Sequence, residues 1–353
     1  MKWKKKIPAL LFLLLCCTAS GLLGWRAAGA SPREEVSSEQ FEEDTVLVGG
    51  MPAGIYMETN GVLVLGTEQI EGMDGKTYEP ASDVVKSGDY IVAVNRQPVG
   101  DKNALVDFVG ELSDKEVVLT LRRDSETVDV KLDAVECEPK EYKLGIWVRD
   151  NVQGLGTVTF LTQNNVFGAL GHGIHDTDTN VLMDISGGNL YRTSIRSIIK
   201  GEGGSPGSME GLIIYNNYNQ LGSIEKNTEA GIYGTVEEID ALFEEQIPVQ
   251  VASKKEIQTG SATIRCSIDG EVREYAVEIL DVSPSSGEIN KGIILQVTDP
   301  DLLEKTGGIV QGMSGSPILQ NGKLVGAVTH VFVNDPTKGY GIFAETMLKE
   351  AEK

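Results

Sequence analysis

Short apolar runs separated by glycine, asparagine or aspartate recur from Val46 almost to the end of the chain. Such runs are typical of β-strands joined by tight turns. The chain has 41 glycines against 12 prolines, and glycine adopts the turn conformations that other residues resist. Its 353 residues also exceed the size of one ordinary domain, roughly 100 to 200 residues. The sequence therefore predicts a mainly β protein with more than one domain.

The first 30 residues have a different composition from the rest. Four lysines precede an apolar run over residues 7–25, and small residues follow it. This order predicts a signal peptide or, if it is not cleaved, a membrane anchor, and hence an exported protein that can associate with a membrane through this segment. Residues 31–45 are polar and acidic and predict an extended linker.

The charge and the cysteines exclude several classes of function. A net charge of −21 repels phosphate backbones, so nucleic acid is not an expected partner. Outside the export segment the cysteines are Cys137 and Cys266, which are too few for a disulfide framework or a four-cysteine zinc site. The sequence leaves open whether these two form a disulfide bond with each other. Residues 172–184 contain histidine and aspartate without a recognised ligand spacing, so neither a metal nor a cofactor is expected.

Residues 46–135 predict a small β-led domain. Two apolar runs are joined by Asn60-Gly61, a strong signal for a two-residue hairpin. A short helix, a strand at residues 90–94, a helix over residues 103–112 and two closing strands are predicted after it. This order resembles a PDZ domain of the bacterial protease-associated kind.

The PDZ resemblance implies where a peptide would bind. The loop at residues 49–54 would hold a peptide carboxylate with its backbone N–H groups, although Pro52 lacks one. Gly54, Ile55, Tyr56 and Met57 would belong to an open strand edge on which a C-terminal or internal peptide lies. An open edge binds such a peptide because its N–H and C=O groups are unpaired.

Two short segments beyond residue 140 carry candidate chemistry. In residues 168–176, glycines flank His172 and allow other backbone to approach the ring closely. In residues 312–318, Ser314 lies in a Gly-Met-Ser-Gly sequence before an apolar strand. Chymotrypsin-like serine peptidases present their nucleophile in this way, and the N–H groups of Gly312 and Ser314 would then form the oxyanion hole.

Other assignments stay open at this point. Ser314 could be an ordinary turn residue, with Ser316 as the next candidate nucleophile. His175 and His330 compete with His172 as the base. A histidine upstream of the serine in a β-rich exported chain has the order that the chymotrypsin-like mechanism uses.

Together these segments resemble the stage IV sporulation protein B peptidase family of endospore-forming bacteria. The sequences that carry the likeness are the export segment, the PDZ-like region, FGALGHGIHD and TDPDLLEKTGGIVQGMSGSPILQNGKLVGAVTHVFVNDPTKGYGIF. The resemblance implies a chymotrypsin-like double β-barrel serine endopeptidase over residues 140–353, following the PDZ-like domain. It would be exported to the intermembrane space of the forespore, anchored there or released by cleavage.

The same resemblance implies a role in sporulation signalling. The substrate would be a membrane-bound regulator of an intramembrane protease that activates a late mother-cell sigma factor, and the enzyme would also cleave itself. By this likeness Ser314 is the nucleophile, His172 the base and Asp299 the acid, with Asp184 and Asp281 as alternative acids. The competing hypothesis is a non-catalytic PDZ scaffold that binds peptides beside an inactive protease-like domain.

Overall fold

Buried and exposed side chains alternate along the strands. In the strand Val272–Val282, for example, Tyr275, Val277 and Ile279 are buried while the residues between them are exposed, because successive side chains point to opposite faces.

The structure, a computed structural model, describes residues 44–112, 115–124, 126–243 and 245–353. The strands are β1 Thr45–Val48, β2 Pro52–Thr67, β3 Ile70–Glu71, β4 Thr77–Tyr78, β5 Tyr90–Val94, β6 Gln97–Pro98, β7 Glu116–Arg123, β8 Glu126–Asp133, β9 Val135–Glu138, β10 Glu141–Lys143, β11 Ile146–Leu161, β12 Val166–Ala169, β13 Ile185–Ile199, β14 Ser208–Ile213, β15 Gln220–Thr228, β16 Gly231–Val236, β17 Pro248–Gln250, β18 Gly260–Ser267, β19 Val272–Val282, β20 Ile293–Val297, β21 Pro317–Gln320, β22 Lys323–Phe332 and β23 Asp335–Phe343.

The helices are short, and two of them begin at a side-chain cap. Asp101 accepts a hydrogen bond from the Ala104 backbone at the start of the first helix, which satisfies an N–H that has no partner within the helix. The third helix is capped by Asp299 and ends at Gly307 with φ 74°. The bounds are α1 Lys102–Gly110, α2 Ile239–Leu242, α3 Pro300–Thr306 and α4 Ala344–Ala351.

The C-terminal strands, from Gly260 to Phe343, form a closed barrel. Its strands pair in the order β18-β19-β20-β23-β22-β21, and β21 pairs with β18 to close the ring. Apolar side chains such as Ile264, Leu295 and Val328 fill the interior. Ser314 lies directly before β21, and His330 lies near the end of β22.

A second ring of strands precedes this barrel in the chain. Strands β11, β12, β16, β15, β13 and β2 pair in this order, and β2 also pairs with β11 to close the ring. In β2, Ile55 faces Gly154 of β11 on one side and Leu190 of β13 on the other. The mainly β, double-barrel architecture predicted from the sequence is therefore confirmed.

Residues 60–150 lie between the barrel parts of β2 and β11 in the chain, and we call them the insert. Strands β2 and β11 run on from the barrel into the insert, where Leu63 pairs with both Arg149 and Tyr90. There β5, β7 and β8 extend the sheet from β2, and the insert has its own apolar core. That this insert is a PDZ domain stays a prediction.

The strand pairing differs from the expected boundaries of 46–135 and 140–353. The predicted hairpin at Asn60-Gly61 is wrong, because β2 runs through both residues as one strand. The pairing register with β11 shifts at this point, and the Asn60 N–H donates to the Asp184 carbonyl. The first strand of the barrel thus comes before the insert, and the barrel resumes after it.

Several other expectations concern the ends and the cysteines. The predicted signal peptide or anchor over residues 1–30 lies outside the described residues, as does most of the 31–45 linker. Among the helices that are described, none has the length and hydropathy needed to span a bilayer. Cys137 and Cys266 are free thiols and form no bridge with each other.

Candidate active site

The first barrel holds the Ser314 turn in place. Gly312 and Gly315 have φ of 101° and 95°, which only glycine adopts without strain. The Thr157 hydroxyl donates to the Gly312 carbonyl at 2.8 Å, and the Thr159 hydroxyl donates to the Gly315 carbonyl at 2.8 Å. Two threonines of β11 therefore fix the serine turn from the opposite barrel.

Two backbone N–H groups of this turn are unpaired. The N–H groups of Met313 and Gly315 donate to the carbonyls of Val310 and Val328. Those of Gly312 and Ser314 donate to no acceptor within the described part of the chain. Unpaired N–H groups beside a candidate nucleophile are what an oxyanion hole requires, as the sequence analysis expects for these two residues.

His172 lies in a glycine-lined loop. A Cβ on Gly173 would approach the Thr228 carbonyl to 2.6 Å, so that position accepts only glycine. The His172 Nδ1 lies 2.8 Å from the Gly173 carbonyl; since a carbonyl only accepts, Nδ1 carries the proton and Nε2 is free to act as a base. Burial lowers the pKa of His172, which keeps the ring neutral.

Ser314 and His172 meet through the end of β22. The Ser314 hydroxyl donates to the Thr329 carbonyl at 2.8 Å, and the next residue, His330, has its ring centroid 4.8 Å from that of His172. Both residues therefore lie beside the same end of β22. In this arrangement the hydroxyl is bonded to Thr329 and not to His172, so it must rotate about its Cα–Cβ bond before the imidazole can accept its proton.

Asp299 is not placed at His172. One oxygen of its carboxylate accepts the N–H groups of Asp301 and Leu302 at 3.0 and 3.1 Å, and the other accepts the Ala276 N–H at 3.3 Å. These bonds cap α3 and tie it to β19. The expected contact between Asp299 and the imidazole is therefore wrong for this arrangement of the chain.

The alternative acids are also engaged elsewhere. Asp184 forms an ion pair with Arg122 at 2.6 Å, and Asp281 accepts the Ser283 hydroxyl at 2.7 Å. Across the described residues, no carboxylate contacts the His172 ring. The group that orients this ring is the backbone carbonyl of Gly173, which sequence reasoning could not have identified.

The competing serine and histidines have other surroundings. Ser316 is fully buried, with its hydroxyl unpaired, so it cannot reach a substrate. His175 Nε2 lies 3.4 Å from Glu229, and its Nδ1 lies 3.3 Å from the Gly173 carbonyl. Loss of hydration, reinforced by the nearby His172, lowers the pKa of His330 to about 4. Within the described chain no group of three or more His, Cys, Asp or Glu residues could hold a metal ion.

The expected peptide-binding edge is paired. Gly54, Ile55, Tyr56 and Met57 lie in the part of β2 that is hydrogen-bonded to β11 on one side and to β13 on the other. An edge without free N–H and C=O groups cannot accept another strand. The assignment of these four residues to peptide binding is therefore wrong; they build the first barrel.

A comparison of sequences points to one family. The protein-family model described as SpoIVB peptidase S55 matches residues 140–348, which is more than half of the chain. The chain matches no curated protein sequence.

Similar solved structures include three proteases. The active form of the Rv3671c protease from M. tuberculosis has a TM-score of 0.32 at 13% identity, over 57% of this chain and 74% of that one. The HtrA-type protease AlgW with decapeptide has a TM-score of 0.34 at 9% identity, over 85% and 63%. The thermostable serine protease AL20 from an extremophilic microorganism has a TM-score of 0.33 at 10% identity, over 56% of this chain and 88% of that one. Scores this low establish neither a shared fold nor a shared activity.

Proposed function

This chain belongs to the SpoIVB peptidase S55 family of serine peptidases, and on that premise we propose that Ser314 is its nucleophile and His172 its general base. The observation that carries the proposal is the Ser314 turn, which has unpaired N–H groups on Gly312 and Ser314 and lies beside the same end of β22 as His172. A hydroxyl, a neutral imidazole and two N–H donors are the parts that acyl transfer needs.

The mechanism follows from these positions. After the Ser314 hydroxyl turns from Thr329, Nε2 of His172 takes its proton as the oxygen attacks a peptide carbonyl. The N–H groups of Gly312 and Ser314 stabilise the oxyanion, a contribution of roughly 3 to 4 kcal/mol for one donor. The imidazolium then protonates the leaving amine, and water hydrolyses the acyl-enzyme by the same route.

The Gly173 carbonyl takes the place that a carboxylate has in the three-residue arrangement. It accepts from Nδ1 of His172 and so fixes the tautomer and the ring orientation. A neutral carbonyl stabilises the imidazolium less than a carboxylate does. Asp299 acts in this proposal through the fold, as the cap of α3.

The biological role is proposed from the family. The enzyme would be exported to the intermembrane space of the forespore and would cleave a membrane-bound regulator of an intramembrane protease, and itself. That cleavage would lead to activation of a late mother-cell sigma factor. The export segment, the PDZ-like order of the insert and the family match support this role.

A fluorophosphonate probe tests the chemistry without knowledge of the substrate. We expect the probe to label the wild-type protein on Ser314, as peptide mapping by mass spectrometry would show, and to leave Ser314→Ala unlabelled. The change removes one oxygen from a turn, so circular dichroism should be unchanged. A wild-type protein that is folded but never labelled would favour the non-catalytic scaffold, and labelling on Ser316 would move the nucleophile.

A further inference from the structure

The loop that carries His172 rests on the insert. We call residues 172–184 the histidine loop. Within it the Asp176 side chain is buried, and its Oδ1 accepts the N–H groups of Asp178 and Thr179 at 3.0 and 2.9 Å. Its other oxygen faces the guanidinium of Arg149. A buried carboxylate is stable only with such partners, so Arg149 is part of what keeps this loop folded.

Arg149 belongs to the insert end of β11. Its backbone pairs with Leu63 of β2, and its guanidinium bridges two carboxylates of the histidine loop, Asp176 and, at 2.9 Å, Asp178. Arginine suits this position because its planar fork can donate to two acceptors at once. One side chain of the insert, that of Arg149, therefore binds the histidine loop.

A shared apolar core supports the same contact. Leu63 and Tyr90 of the insert are buried together with Met183 of the histidine loop. Tyr90 also accepts the Asp184 N–H through its hydroxyl at 3.0 Å. The loop is thus packed against the insert along its C-terminal half as well as at Asp176.

Three residues, 173–175, separate Asp176 from His172 along the backbone and connect the insert contact to the ring. The Gly173 carbonyl orients the ring. The next residue, Ile174, is fixed from the barrel side, where its N–H donates to Asn227 at 2.8 Å and its carbonyl accepts from the same side chain. Asp176 fixes the backbone from the insert side. The peptide that carries the orienting carbonyl is therefore held between a barrel residue and an insert residue.

We propose that Arg149 is a positioning residue for the peptidase reaction: through Asp176 it holds the histidine loop so that the Gly173 carbonyl orients His172. This inference rests on the proposed role of His172. It makes the insert part of the peptidase machinery, because a catalytic group depends on a side chain supplied from outside the barrels.

Matched substitutions separate this role from a contribution to stability. Arg149→Met removes the charge and keeps much of the apolar stem. Asp176→Asn keeps the oxygen that accepts the two loop N–H groups and removes the charge that Arg149 neutralises. The control is Arg123→Met, because Arg123 also pairs with a buried aspartate, Asp89, but entirely within the insert.

Two measurements on the full-length protein decide the question. The first is fluorophosphonate labelling, resolved into its maximal rate and its half-saturating probe concentration. The second is the ¹⁵N spectrum of the histidine rings, in which the His172 signals report the tautomer and the hydrogen bond at Nδ1. The second readout does not depend on activity.

We expect Arg149→Met and Asp176→Asn to lower the maximal labelling rate about 10-fold to 100-fold, since a misplacement of about 1 Å has costs of this size. Half-saturation should stay within about twofold, because only the reactive step is affected. The His172 signals should shift, and Arg149→Lys should recover part of the rate. Arg123→Met should have a lower melting temperature than the wild type. Below that temperature its labelling rate should stay within about twofold of the wild-type rate.

Other results would overturn the proposal. Folded Arg149→Met that labels at the wild-type rate, or with unchanged His172 signals, removes the positioning role. If Arg149→Met and Arg123→Met lose equal factors in labelling rate, both losses reflect reduced stability and not positioning of His172. If Arg149→Met does not fold, Arg149→Lys and Asp176→Asn carry the same test. If His172→Ala labels normally, the proposed function fails, while the ¹⁵N spectra still show whether Arg149 positions the ring.

Discussion

At the scale of single residues, the site combines side chains that sequence reasoning can find with backbone groups that it cannot. Ser314 and His172 stand out because glycines surround them. The Gly173 carbonyl and the two threonines of β11 carry no local signal, because their partners are set by how the barrels pack. The Asp299 assignment came from a likeness of sequence, which does not reveal that the carboxylate is occupied by α3.

Alanine at each histidine should distinguish the base from its neighbours. We expect His172→Ala to lower the fluorophosphonate labelling rate by roughly 10²- to 10⁴-fold, the usual contribution of a general base. His175→Ala should lower it far less, because His175 pairs with Glu229 and contacts only the Gly173 carbonyl that orients His172. His330→Ala removes only a ring whose centroid lies 4.8 Å from that of His172 at a tilt of 34°, and it should act weakly. A larger loss at His330 than at His172 would reassign the base.

The pH dependence should reflect the buried state of His172. Burial lowers its pKa below the ordinary 6.5, and the base must be unprotonated to act. The labelling rate should therefore persist below pH 6.5 and fall only as the pH passes through the lowered pKa. A profile of rate against pH, on protein shown by circular dichroism to stay folded, measures this; a midpoint above 6.5 would contradict it.

At the scale of elements, local signals are reliable where nothing competes with them. The α1 helix could be predicted from its apolar spacing, with bounds close to those observed. The Asn60-Gly61 hairpin could not, because both residues lie in a strand that pairs with β11 over most of its length. The tertiary pairing outweighs a two-residue turn preference, since turning there would remove a strand from the first barrel.

The cap of α3 allows a direct test of Asp299. Serine is also a good N-cap, so Asp299→Ser should keep both the fold and the labelling rate. Asp299→Ala loses the cap and should lower the free energy of unfolding by about 1 kcal/mol. Thermal melts and labelling rates of both variants check this. If Asp299→Ser lost roughly 10⁴-fold in rate, the size expected for a catalytic acid, Asp299 would have to reach His172 in another conformation.

At the scale of the whole molecule, the first barrel includes β2, which lies before residue 140. The sequence predicts a peptide-docking domain followed by a separate enzyme, because the candidate catalytic residues His172, Asp299 and Ser314 all lie beyond residue 140. The pairing of β2 with both β11 and β13 is a long-range feature with no local signature. It makes residues before the insert part of the catalytic half.

A fragment of residues 140–353 should therefore fail to fold as an active peptidase, whereas residues 44–353 should fold. The fragment lacks Ile55 and Met57 from the barrel core, which account for roughly 3 to 6 kcal/mol of burial, against a typical net stability of about 5 to 15 kcal/mol. Circular dichroism melts and probe labelling of the two chains compare them. A cooperative melt and full labelling of the shorter chain would contradict the strand assignment.

The strands β2 and β11 each belong to two structures, since their hydrogen bonds continue from the barrel into the insert. Loss of the whole β2–β11 pairing would therefore disturb the barrel and the insert together. The amide hydrogens of the barrel and of the insert should consequently exchange with solvent as one cooperative unit. Any partner that tightened the insert would, by the same linkage, make the opening of the barrel rarer.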